Sequence, residues 1–276
     1  MKRMAGGILG LILAFMAILP VQARKAPPPR ICLNAGSYLF AKRGEMIFRM
    51  SAEDGAITQM SPIRIFMNGG SDNEIITANA CDVFFAWAKP EQKSEIWGIG
   101  AATGWELRRI TRTPEDHETE PALKRNDGSR LAFTVLKNGE EYVATSLLDG
   151  QLYRIADKGH TPAWGATNGA LSYTTEPWGR LYIWMSKGQW HTHRPDGKAI
   201  LVQDGTTFTS RPNTGVSRFW GTGKSVAISP DGKFAAVVTT DGHLTIQELI
   251  DGFPAGNAVE VPGMEDLEFV TWIAVN

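Results

Sequence analysis

Four dipeptides, Asp127-Gly128, Asn168-Gly169, Asp196-Gly197 and Asp231-Gly232, stand between short strand-like runs through the second half of the chain. They mark a degenerate repeat of roughly 40 residues. The register is clearest in the middle, where Pro121 and Pro162 lie 41 residues apart, as do Asp127 and Asn168. Such pairs suit tight hairpins, because glycine and asparagine accept the positive φ that other residues resist. The runs between them are rich in β-branched and aromatic residues, and helical periodicity is absent beyond residue 23. Repeats of this length, each built from four short strands, read as the blades of a β-propeller.

The blades are legible to different degrees. One has strands at 130–135, 141–145 and 152–155, and the next repeats the order at 170–174 and 180–184. Upstream, 82–87, 95–99 and 106–111 form another; downstream, 225–229, 234–239 and 244–249 form the last. Between these lies a compressed segment, 191–222, whose opening turn is Arg194-Pro195-Asp196-Gly197-Lys198. At the N-terminus, 37–40, 46–50 and 56–59 supply three strands without an inner one, while 267–275 is a strand left over at the other end. Pairing the leftover strand with the first blade removes an unpaired edge. The expected fold is therefore all-β: a single propeller of six four-stranded blades, closed by the C-terminal strand joining the N-terminal blade. The count is five if the compressed segment is an insertion.

The ends fix the expected compartment. Lys2 and Arg3 precede an apolar run that Pro20 closes, and Val21-Gln22-Ala23 offers small residues for cleavage, so 1–23 reads as a secretory signal peptide. The apolar run is shorter than the 18 or more residues of a membrane span, so no stable membrane insertion is expected after cleavage. Residues 24–36 form a Pro-rich linker and N-terminal arm, extended by Pro27-Pro28-Pro29, and 37–276 is the propeller domain. Loss of Lys2 and Arg3 takes the formal charge from −1 to −3, which speaks against a nucleic-acid partner held by electrostatics. The expected location is the periplasm. Cys32 and Cys81 are the only cysteines; export permits them to pair, and two separate buried thiols are the alternative.

Ser229-Pro230-Asp231-Gly232-Lys233 followed by Phe234-Ala235-Ala236-Val237 resembles the propeller repeat of the TolB family. So does Glu118-Thr119-Glu120-Pro121 running on to Asn126-Asp127-Gly128-Ser129-Arg130-Leu131-Ala132-Phe133, and Glu95-Ile96-Trp97 with Leu107-Arg108-Arg109-Ile110-Thr111 resembles its outer strands. The resemblance spans roughly residues 75–265. It implies a periplasmic propeller that binds a protein or peptide through one face of its disc. TolB proteins carry an α/β domain before the propeller, and here only 24–36 separate the expected signal peptide from the first strand, so that domain is expected to be missing. Prolyl-oligopeptidase-type peptidases share similar blades but need a Gly-x-Ser-x-Gly elbow, which this sequence lacks.

The chemistry on offer is sparse. His117 and Glu118, with His160, immediately precede inner strands and are the candidate binding residues at a channel mouth. The rival reading is a polar loop that satisfies backbone groups. His191-x-His193 has the spacing of a metal pair on one strand face, and alternating polar residues on an exposed outer strand account for it as well, so no metal is assigned. Gly98-Ile99-Gly100-Ala101-Ala102-Thr103-Gly104 precedes no helix and fails as a dinucleotide loop. The nine tryptophans fall mostly in strands, where they serve packing. No catalytic residue and no cofactor is assigned. The expected function is an exported, non-catalytic scaffold for an envelope protein or peptide. The alternatives are a lactonase- or glycosidase-like hydrolase with its site at the channel, or a glycan or small-molecule binding module.

Overall fold

The computed structural model describes residues 32–64, 76–88, 92–102, 104, 107–124, 128–165, 170–174, 190–195 and 198–275, and these contain strands and turns but no helix. The first sheet holds β1 (Gly36–Arg43), β2 (Met46–Glu53) and β3 (Ala56–Arg64), and the second β4 (Ile76–Ala78), β5 (Asp82–Trp87), β6 (Glu95–Gly100) and β7 (Arg108–Arg109). The third runs β8 (His117–Leu123), β9 (Arg130–Lys137), β10 (Glu140–Leu147) and β11 (Arg154–Lys158). A two-stranded sheet follows, β12 (His160–Trp164) with β13 (Leu171–Thr174). Then come β14 (Trp190–His193), β15 (Ala199–Asp204), β16 (Thr207–Pro212) and β17 (Arg218–Thr222). The last sheet has β18 (Ser225–Ile228), β19 (Phe234–Val238), β20 (Leu244–Ile250) and β21 (Phe253–Glu260). Small antiparallel sheets in this order make a propeller arrangement.

The final strand, β22 (Phe269–Val275), pairs antiparallel with β1, from Gly36 opposite Val275 to Lys42 opposite Phe269. It gives the first sheet its inner strand, giving the order β22-β1-β2-β3. Lys42, almost wholly buried, donates to Glu268 at 2.6 Å beside this junction.

The core lies between sheets, which explains why the strands read as unbroken apolar runs. In β1, Leu39 and Ala41 pack toward the last sheet, against Ala227, Ala236 and Leu244. Phe40, between them, packs the other way, against Ile76, Val83 and Phe85 of the second sheet. Successive side chains of a strand point to opposite faces, and here both faces are covered. The same holds where Phe84 and Ile96 meet Leu131 and Phe133, and where Phe208 and Trp220 meet Val226 and Val237.

Two expectations are corrected. Five sheets are four-stranded, not six. The compressed segment is not the short one: β14–β17 form a complete four-stranded sheet, and close spacing reflects tight turns rather than a missing strand. The two-stranded sheet belongs to the repeat that is clearest in sequence, and the strand expected at 180–184 lies outside the described residues. Second, His191 and His193 do not sit on an exposed outer strand. They are on the inner strand β14, with His191 buried at 3% exposure, because blade-to-blade packing covers both faces there. The signal peptide and linker expected at 1–31 also lie outside the described residues. Among the described residues, no helix is long and apolar enough to cross a membrane.

Candidate functional site at the central channel

Two equivalent residues, one in each of two successive repeats, shape the channel wall. Glu120 in β8 and Thr161 in β12 both have positive φ, 53° and 51°, and each precedes a proline. At both places the pairing with the next strand slips, between Thr119 and Ala122 and between His160 and Ala163. These are β-bulges, which bend a strand and re-aim its side chains. A left-handed conformation is unfavourable for any residue with a Cβ and more so for branched threonine. The surroundings hold it: Glu120 Oε2 accepts from Thr134 Oγ1 at 2.6 Å and from the Thr161 backbone N–H at 2.8 Å.

Glu120 and Thr161 line a narrow waist of about 100 Å³, to which β4, β8, β12, β14, β18 and β22 all contribute. Other polar walls are Thr77, His191, Thr192 and Thr271, with Trp164 and Phe269 as aromatic ones. His191 Nε2 lies 2.7 Å from Ser172 Oγ, and His193 Nε2 is 2.8 Å from the same oxygen. Ser172 donates to the Ala163 carbonyl at 3.0 Å, so its oxygen can accept from both imidazoles. Burial, reinforced by His193 and His160, pushes the His191 pKa down to about 3, so its ring is neutral.

On the face bearing the turns between first and second strands, the waist opens into wider space. A 410 Å³ cavity shares Thr77, Leu123 and Thr271 with the waist and extends past Pro195, Pro230 and Trp272. Cavities of 490 and 330 Å³ adjoin it through Pro230, the first with Glu53 and Asp54 in its wall and the second with Arg194 and Lys233. Cys32 and Cys81 are joined by a disulfide that ties the start of the described chain to the β4–β5 turn. The N–H of Leu33 donates to the Ala80 carbonyl beside it.

His117, Glu118 and His160, singled out by sequence, line none of these four cavities. His117 and Glu118 lie within β8, not before it, and turn toward the second sheet. His117 Nδ1 meets Ser94 Oγ at 2.9 Å. The fully buried Glu118 carboxylate accepts from Thr111 Oγ1 and Thr113 Oγ1 and, at 3.3 Å, from the Ile96 N–H. Burial pushes its pKa up to about 7, against the lowering effect of those hydrogen bonds. His160 opens β12 and contacts Thr161 Oγ1 at 2.5 Å. None of the three is among the residues lining the waist. The waist residues Glu120 and Thr161 carry no linear motif beyond the 41-residue spacing of Pro121 and Pro162 beside them, while His191 stood out only through its spacing to His193. Among the described residues, no group of three or more His, Cys, Asp or Glu side chains is placed to hold a metal ion.

No protein-family model matches the sequence, and no curated protein matches it. Solved structures resemble it in fold. TolB from Acinetobacter baumannii aligns with a TM-score of 0.58 at 14% identity, over 86% of this chain and 66% of that one. The chain thus spans just under two thirds of that TolB's length. An oligogalacturonate lyase in complex with manganese aligns at a TM-score of 0.47 and 11% identity, over 79% of this chain and 77% of the lyase. A puromycin-hydrolyzing peptidase from Mycobacterium tuberculosis aligns at 0.48 and 10%, over 84% of this chain and 46% of the peptidase. The likeness to TolB, at 14% identity, shows the fold alone: a TolB-like β-propeller.

Proposed function

We propose that this chain is an exported, non-catalytic TolB-like propeller that binds a protein or peptide of the cell envelope at the channel mouth on its turn-bearing face. In this reading it is a periplasmic propeller closed by β22. The observation that carries the proposal is the shape of that face. Three adjoining concavities of 410, 490 and 330 Å³ surround an entrance that narrows to a waist of about 100 Å³. Space of that kind suits a polypeptide segment lying across the mouth, and a partly apolar wall that includes Pro195, Pro230 and Trp272 suits its side chains.

The test is affinity capture from the native envelope with the wild-type protein and with Ala274→Arg, an exposed β22 residue bordering two of the three cavities. A specific partner retained by the wild type and lost by the variant supports the reading. Turnover of a lactone or glycoside panel, with no partner retained, overturns it.

A further inference from the structure

The waist has an uncompensated charge. Glu120 contributes the only carboxylate among its lining residues, and no lysine or arginine joins it. The groups that hold the carboxylate, Thr134 Oγ1 and the Thr161 N–H, are neutral, and among the described residues no cation pairs with it. His191, the one other ionisable wall residue, is neutral through burial. A carboxylate in the wall of a small concave cavity attracts a cation more strongly than one on an open surface, because less solvent surrounds it there.

The rest of the wall says which kind of cation. Metal ions of the zinc or calcium type require several carboxylate, imidazole or carbonyl donors converging at bonding distance. Here one carboxylate and one imidazole line the waist, the latter bonded to Ser172 through Nε2 and, among the described residues, unpaired at Nδ1, and two donors fall short of such a set. Trp164 and Phe269 are also among the lining residues, and aromatic rings attract ammonium groups through their quadrupole. Thr77, Thr192 and Thr271 bring hydroxyl oxygens to the same wall, as acceptors for N–H donors. Ile76, Ala122, Val226 and Ala227 supply apolar surface for a methylene stem. About 100 Å³ holds the end of an alkyl chain and excludes a folded element.

We propose that the channel waist is a binding site for a primary alkylammonium group, delivered from the turn-bearing face by a lysine side chain or amino terminus. The mouth and waist share Thr77, Leu123 and Thr271, which gives the group a way in. This rests on the binding reading above and sharpens it, by naming one group that the partner carries. Glu120 supplies the counter-charge, held in place by the bulge and by Thr161.

n-Butylammonium is the probe, with n-butanol as its neutral control, titrated against the full-length exported protein while backbone amide shifts are followed by NMR. Saturable 1:1 shifts at Ala122, Thr161 and Thr271 are expected with the amine and not with the alcohol, together with at least tenfold weaker binding by Glu120→Gln. Should that variant not fold, Ala227→Leu, which fills the waist without changing its charge, is expected to abolish the shifts. Equal responses to amine and alcohol, no response to the amine, or full binding by both variants would overturn the site. Partner capture is scored separately: a partner still retained while the amine fails to bind sinks this site and leaves the binding reading standing.

Discussion

The backbone N–H of Thr161 donates to Glu120 Oε2 at 2.8 Å, joining equivalent positions of two successive repeats across the channel wall. Both residues have positive φ, so the contact supports two unfavourable backbones at once. Glu120→Ala should lower stability by about 1–3 kcal/mol, since it removes a partly buried acceptor of two hydrogen bonds and keeps the strain. Glu120→Gly loses the same acceptor but relieves the strain, and should recover roughly 1 kcal/mol. Urea unfolding of the two variants checks the order; glycine less stable than alanine would contradict it.

Glu118 predicts a pH dependence. Its carboxylate is buried against neutral donors, with Glu95 adding repulsion. The charged groups nearby are already engaged, Arg109 with Glu95 and Lys137 with Asp116 at 3.4 Å; His117 contacts Ser94, and Tyr153 lies close enough to feel both Glu118 and Asp116. The folded-state pKa of about 7 stands above the ordinary 4.5, so the folded protein holds this proton more tightly than the unfolded chain. Its contribution to stability is complete below pH 4.5 and is lost as pH rises through 7, a fall on the order of 3 kcal/mol. Glu118→Gln should flatten that part of the stability profile. Parallel profiles for the two proteins between pH 4.5 and 7.5 would rule the assignment out.

Much of the fold was legible because it depends on local chemistry. Asp-Gly turns such as Asp231-Gly232, and strands such as 130–135 with apolar residues on both faces, announce hairpins packed between neighbours. The strand at 267–275 could be placed because it had no partner of its own. The inner strand β4 was not legible, since three residues, Ile76–Ala78, carry no period. The inner strand β14 is only four residues long and includes three polar ones, which is why His191 read as a surface residue while lying at 3% exposure. The waist is assembled from six distant segments, and no linear motif can describe it. Pro121 and Pro162 were visible as a register, yet the bulges beside them follow from backbone geometry alone.

Gly150 should be among the least replaceable turn residues. It has φ +81° and a Cβ there would stand 2.0 Å from the Ile110 carbonyl oxygen, where the second and third sheets meet. Backbone cannot move aside as a side-chain end can. Gly139 has φ +79° and open space around it, so Gly139→Ala isolates the cost of the left-handed backbone, about 1 kcal/mol. Gly150→Ala should lose at least twice as much in thermal or denaturant unfolding. Equal losses would mean that the two sheets can separate freely at this point.

The Cys32–Cys81 bond closes a 49-residue span from the segment before β1 to the β4–β5 turn of the second sheet. In the chain-entropy account a loop of this length is worth about 4 kcal/mol. Replacing both cysteines by serine should lower the denaturant midpoint by a corresponding amount. A reducing agent should do the same to the wild type and leave the double variant unchanged. A wild-type midpoint that does not respond to reduction, with the thiols shown to be free, would count against any stabilising role.

Lys42 and Glu268 give the closing strand its own test. Lys42 is 2% exposed and Glu268 31%, so one partner is buried and the other reaches solvent. Removing the carboxylate leaves a buried ammonium without a counter-charge, whereas removing both charges leaves a gap that apolar atoms can fill. Glu268→Ala should therefore cost roughly 2–4 kcal/mol, discounted from a fully buried pair for the exposure of Glu268. Lys42→Met with Glu268→Leu should regain most of that loss. Because both residues flank the β1–β22 pairing, hydrogen exchange separates a local from a global effect. The single variant should lose protection first at Val270 and Trp272, and the double variant should keep it; uniform loss across all sheets would show that the ion pair has no particular part in holding β22 in place.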